Sequence, residues 1–314
     1  MPPLRVAIAV LAYRRPGDLA AALPLILEQA RELNGDPDAA ADVDVLVIDN
    51  DPALTAKPVV DSLASGLVRY VAEPVPGISA GRNRALDENA DRDLLVYLDD
   101  DERPRPGWLT ALVRTWRETG ATAVMGRVVS EFDGALDPWV AAGSFFTRRS
   151  MTTGTPIEVA AAGNLLIDLQ QVRELGVRFH DDFGLAGGED TLFSRQLVAA
   201  GGRIVWCEES VATDRVPAER ATRAWVLRRA LSHGNTASVI DVHLAAGRGG
   251  RMVSRLRGTG RGVIRVLGGT GRFVFGILGG SIRHRARGLR TACRGAGMVS
   301  GALGFVYREY ARDE

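Results

Sequence analysis

The sequence is short of the residues that would assign it to several common chemistries. Its 314 residues include only two cysteines, Cys207 and Cys293, which give neither a disulfide framework nor zinc-ligand spacing, so reduced thiols in the cytosol are expected. The first strand–helix turn reads AYRRPGD, and neither G-x-G-x-x-G nor G-x-x-x-x-G-K is present. The backbone phosphate cradles of dehydrogenases and P-loop enzymes are thereby excluded, and any phosphate must be held by a cation and arginines. No stretch reaches the roughly 18 uncharged apolar residues of a membrane-spanning helix. The amino terminus, MPPLRVAIAVLAYRRP, lacks a small-residue cleavage site and reads as a strand rather than a signal peptide. There is no repeat, and residues 242–308 contain no acid.

What is present is an alternation of apolar runs and helical patterns. Strands are expected at residues 4–11, 67–72, 94–98 and 121–129 and in DVLVIDN, with helices after the first run and near 80–89 and 107–118. At βαβ spacing this means a mostly parallel sheet with helices on both faces. Residues 130–158 lose periodicity and read as a long functional loop or two short strands. GNLLIDLQQVRELG and the helix and strand of GGEDTLFSRQLVAAGGRIVWC follow, and RATRAWVLRRALSHGNTASVI is a long helix.

Carboxylates sit where strands end. Asp49 closes one apolar run, and Asp99, Asp100, Asp101 and Glu102 close another. Ligands of open α/β sheets bind beyond the carboxyl ends of the strands. Adjacent carboxylates repel unless a cation neutralises them, and hard oxygens suit Mg²⁺ or Mn²⁺. The alternative is a solvated acidic turn before a helix.

The order VLAYRRPGDL, VLVIDNDP, PGISAGRNRAL, YLDDDERPRPGWL, GNLLID and GGEDTLF resembles the family 2 glycosyltransferases over about residues 4 to 235. The resemblance implies a GT-A fold, a nucleotide-diphosphate sugar donor and inversion at the anomeric carbon. It also implies roles. Ala12, Tyr13 and Arg14 would line the base pocket, and Asp49 would accept from a uracil-type base. Arg82 would reach the base edge or the diphosphate. Asp99 would bind ribose or metal, and Asp101 the metal, as in the family's D-x-D; Asp100 and Glu102 are auxiliary. Gly163 and Asn164 would form the turn beneath the donor sugar. Asp190 would be the catalytic base, with Glu189 orienting the acceptor. Where some relatives place a late histidine ligand, this chain has Thr213 and Asp214, and His233 lies further on in a helix.

Residues 242–314 carry 14 arginines against 3 acids, while the rest carries 25 basic against 35 acidic residues. A GT-A catalytic domain is therefore expected at 1–241, with a nucleotide-binding half to about 130 and an acceptor half beyond it. A basic helical appendage is expected at 242–314. Arginine clusters alternating with apolar, glycine-rich blocks point to an anionic membrane surface at its cytoplasmic face rather than to nucleic acid. Packing on the catalytic domain, or on a second copy in a homo-oligomer, is the alternative.

The expected activity is metal-dependent transfer of a sugar, in the first instance from a UDP-sugar, to a hydroxyl of a glycan or lipid-linked acceptor. A non-catalytic nucleotide-sugar-binding protein of the same fold and a nucleotidyltransferase are the rivals. A binding module has no use for a base at Asp190, and a nucleotidyltransferase would release pyrophosphate.

Overall fold

In the computed structural model, which describes residues 2–310, the chain runs β1 (Leu4–Ala12), α1 (Pro16–Asn34), β2 (Ala41–Asp49), α2 (Lys57–Ser62), β3 (Val68–Ala72), α3 (Ile78–Glu88), β4 (Leu94–Asp99), β5 (Glu102–Pro104) and α4 (Trp108–Thr119). It continues through β6 (Ala123–Phe132), α5 (Pro138–Gly143), β7 (Pro156–Ile157), β8 (Asn164–Asp168), α6 (Leu169–Leu175), α7 (Glu189–Ala199) and β9 (Ile204–Val216). The helices α8 (Arg223–His243), α9 (Gly247–Leu278) and α10 (Ile282–Ala302) complete it. The aperiodic stretch at 130–158 holds the helix α5 as well as the short strand β7.

Two units are distinguished. The first comprises residues 2–130, 148–184 and 189–215, and the second residues 131–147, 185–188 and 216–310. A division is expected from the sequence at residue 241; the last segment of the second unit begins at residue 216, and in it α8 packs on α10 and α9.

In the first unit the strands lie in the order β3-β2-β1-β4-β8-β6-β9-β5, with β7 on β9. β3, β2, β1 and β4 are parallel, the part set by βαβ spacing. β8 then pairs antiparallel with both β4 and β6, and β5 and β7 pair antiparallel with β9. The parallel strands are apolar on both faces because both are covered. Val6, Ile8 and Val10 of β1 join the core beneath α1 and α4, while Ala7 and Ala9 join the core beneath α3, α6 and α7.

The register fixes the site. Ala12 lies opposite Asp49, Leu11 opposite Asp99, and Leu98 opposite Asn164, so three strand ends and Gly163 meet at one edge of the sheet.

The second unit is helical. Trp139, Val140, Val226 and Ala286 form its core with Phe145, Phe146, Trp225 and Leu289 packed around them.

Candidate active site

The acidic cluster is not uniform. Asp99 ends β4, and its side chain is 39% exposed. Desolvation, with Asp101 and Asp190 nearby, raises its pKa against the pull of Arg82 and Arg15, and its open edge to water softens the shift. Asp100 turns inward: it is buried, accepting from the Tyr13 amide at 3.4 Å and from Arg15 Nη1 at 3.2 Å, and burial pushes its pKa up to about 7. Asp101 accepts from the same Arg15 nitrogen at 2.7 Å. Arg15, next to Pro16 at the start of α1, was not picked out by the sequence. Its signal was its place just beyond the strand edge.

Glu102, expected only as an auxiliary, is buried, and its Oε2 has no hydrogen-bond partner. Desolvation and the charges of Asp99, Asp101 and Asp214 raise its pKa well above the carboxylate range, opposed by Arg148. Asp214 lies opposite Glu102 in the β5–β9 ladder and pairs with Arg148. The space in front of Glu102 is left by Gly163. A Cβ built there would lie 2.8 Å from Glu102 Oε1 and 2.9 Å from Asp99 Oδ2. Two carboxylate oxygens therefore open onto one small gap, and a third buried oxygen lacks a partner. Hard oxygens short of positive charge fit a divalent cation. Among the described residues no group of three His, Cys, Asp or Glu is close enough to hold an ion unaided.

Asn164 is the residue expected under the donor sugar. It is fully buried; its carbonyl accepts from Trp108 Nε1 at 2.9 Å and its amide donates to the Arg127 and Ser210 carbonyls at 3.1 and 3.2 Å. It ties β8 to its neighbours and α4, and both polar atoms of its side chain are engaged within the protein. Asp49 is also buried and serves its own loop, accepting from the Asp51 and Ala56 amides and the Tyr70 hydroxyl. A base would compete with those donors. Ala12 is buried, Tyr13 half-buried and Arg14 exposed at the end of β1. Arg14 has φ 54°, lies over the Tyr13 ring and pairs with Asp51 at 3.5 Å.

Across from the acidic turn, Arg82 on α3 is buried between carboxylates. It pairs with Glu189 and lies 3.7 Å from Asp99. The ring of Phe179 covers its guanidinium at 5.5 Å, and Phe179 is stacked on Phe193 of α7. Glu189 is buried at the start of α7; desolvation holds its pKa above the carboxylate range, opposed by Arg82 and aided by Asp190 and Asp99. Asp190 is only half-buried and accepts from the Thr191 amide at 2.6 Å. It acts electrostatically on both Arg82 and Asp99. Sequence positions near 82, 99, 101 and 190 thus converge, with Glu102 and Gly163 added. His233 is on α8, in the second unit. An open cleft of 560 Å³ near residues 176–182 is lined by Asn83 and Gln196 but by none of these carboxylates.

The model of Glycosyl transferase family 2 matches residues 7–175, more than half of the chain. The chain belongs to that family. It is 34% identical over 236 residues to the succinoglycan biosynthesis protein ExoM of Rhizobium meliloti (strain 1021), covering 74% of each protein. Among solved structures, this family 2 glycosyltransferase is similar in fold to GalNAc-T7 with UDP, GalNAc and Mn²⁺, with TM-score 0.54 and 14% identity over 75% of this chain. It is also similar to S. aureus TarS, with TM-score 0.52 and 13% identity over 78% of this chain. The chain spans about half the length of those two proteins, 51% and 44%. It is a glycosyltransferase with the GT-A fold.

Proposed function

We propose that the enzyme moves a sugar, with inversion, from a UDP-sugar to a hydroxyl of a growing glycan or lipid-linked acceptor in polysaccharide assembly. What supports the reading is one arrangement: Arg82 held between Asp99 at the strand end and Glu189 at the start of α7, with the half-exposed Asp190 beside them. The role of ExoM in succinoglycan biosynthesis supports the polysaccharide, and the structure of GalNAc-T7 with UDP and Mn²⁺ supports the donor and the metal.

Asp99, Asp101 and Glu102, together with oxygens of the donor's diphosphate, would hold Mn²⁺ or Mg²⁺, which when bound offsets negative charge on that leaving group. Arg15 is placed to exchange Asp100 and Asp101 for diphosphate oxygens. Arg82 holds Glu189 in place, and Glu189 orients the acceptor. Asp190 takes the proton of the acceptor hydroxyl as its oxygen attacks the anomeric carbon from the face opposite the diphosphate. It lies in the first turn of α7, where the helix dipole favours acidic side chains.

The test is a panel of nucleotide sugars incubated with the full chain, glycan acceptors and Mn²⁺ or Mg²⁺. UDP release that requires both acceptor and metal is expected. Release of pyrophosphate instead would identify a nucleotidyltransferase and overturn the reading.

A further inference from the structure

The second unit carries a surface that sugar transfer does not use. α9 packs on α10 through Gly258, Gly262, Gly269 and Gly276, so closely that a Cβ at Gly269 would lie 2.5 Å from the Ala292 amide nitrogen. At about 100° per residue, the side of α9 opposite these glycines carries Leu256, Val263, Ile264, Leu267, Val274 and Leu278. The recurrence at intervals of seven and four keeps them in one row. No charged residue interrupts it. Leu256, Leu267 and Leu278 are 67%, 68% and 82% exposed, so the row faces outward along a helix of about 48 Å at 1.5 Å per residue. An apolar row of this length marks an interaction surface.

The charges around the row identify its occupant. Arg257 and Arg261, both exposed, border it on the side of Ile264, whereas Arg255 lies nearer the glycine face and donates to the Ala302 carbonyl at 2.9 Å. Asp241 lies 4.0 Å from Arg261, and no acid between 242 and 308 adds to it. A second copy docking through this face would set one basic helix against another. An anionic lipid surface satisfies both features, with acyl chains for the row and headgroup phosphates for its borders. No helix among the described residues is long and apolar enough to cross a membrane.

We propose that α9 lies flat in the headgroup region of an anionic membrane, its leucine face toward the acyl chains and its arginines on the phosphates. None of its residues belongs to the donor site, so nucleoside diphosphate release in solution reads a different property.

The test is sedimentation of the full chain with vesicles of phosphatidylcholine, with and without phosphatidylglycerol. Binding is expected only with phosphatidylglycerol, and it should weaken about ten-fold as salt is raised from low to physiological strength. Ile264→Asp with Leu267→Asp should reduce binding by about ten-fold or more at unchanged melting temperature and unchanged diphosphate release. The milder pair Leu256→Gln with Leu267→Gln reads the same face if the aspartates prevent folding. Wild-type binding by both pairs would overturn the proposal, since charge alone would then hold the protein. Equal binding to neutral vesicles would overturn it as well. So would a wild-type dimer, seen by ultracentrifugation without vesicle binding, that either pair converts to monomers.

Discussion

Arg82 and Glu189 are 107 residues apart in the chain and form a buried ion pair, with Arg82 also reaching Asp99 at the sheet edge. This guanidinium joins the strand-end acids to the helix that carries Asp190. Arg82 and Glu189 are buried and depend on each other for compensation.

Replacing Arg82 with Leu is therefore expected to cost about 3–5 kcal/mol of stability near neutral pH, the usual penalty for stranding a buried charge. Urea denaturation measures it. Arg82→Lys should recover part of the stability but little turnover, since a point charge replaces a planar fork. A Leu variant as stable as wild type would remove Arg82 from the centre of the site.

The acidic turn should make stability fall as pH rises. Asp100 has a pKa of about 7 in the fold and about 3.8 as a free side chain. Below the lower value both states hold the proton and the burial costs nothing. Between the two values the unfolded chain loses its proton first, so the folded state loses roughly 2–4 kcal/mol by about pH 8. Asp100→Asn should flatten this slope, as judged by urea midpoints at about pH 5 and pH 8. The amide oxygen can still accept from Tyr13. A slope unchanged in the variant would show that Asp100 is not its source.

Asn164→Ala should damage the fold and spare the donor. It would leave the Trp108 indole and two backbone carbonyls without partners, at roughly 2–4 kcal/mol in all. Calorimetric titration with UDP and Mn²⁺ at a temperature where the variant stays folded should give near-wild-type affinity. A large loss of affinity in the folded variant would restore the donor-binding role that the sequence suggested.

The contrast between these residues shows what the sequence could convey. The end of β4 was legible because five apolar residues followed by acids mark a buried strand leaving its sheet, and Asp99 lies there. The helix start at Glu189 and Asp190 was legible for a similar reason. At Asn164 the motif gives position but not direction. The residue follows Gly163 by one position on a strand, so its side chain points away from the face that Gly163 opens. Glu102 and Arg15 gained their places through pairings that local periodicity does not encode. Glu102 sits in a three-residue strand held by β9, and Arg15 is aimed across the gap to β4. The antiparallel half of the sheet was hidden for the same reason, since β8 and β9 resemble any buried strand.

Gly163→Ala tests the gap itself. The added methyl would press on Asp99 and Glu102 at 2.9 and 2.8 Å and occupy the space proposed for the cation. Metal-dependent UDP binding should fall by about ten-fold or more, or roughly 1.4 kcal/mol, with a small change in melting temperature. Metal-independent binding, measured in chelator, should change little. Unchanged affinity in Mn²⁺ would mean that the cation sits elsewhere.

Asp190→Asn tests the chemistry. Inversion in one displacement needs a group opposite the leaving diphosphate that can receive the acceptor proton. Glu189 is poorly suited, being buried and held by Arg82. Asp190 is half-open, with one oxygen on the Thr191 amide. The asparagine keeps the shape and removes the basicity. UDP affinity should hold while turnover with a confirmed acceptor falls by roughly 10²–10⁴-fold. Because a solvent-side base is what is lost, raising the pH should recover part of the rate in the variant but not change the wild type to the same extent. If turnover stays near normal while Glu189→Gln abolishes it at unchanged stability, the proton goes to Glu189, and the two acids exchange roles.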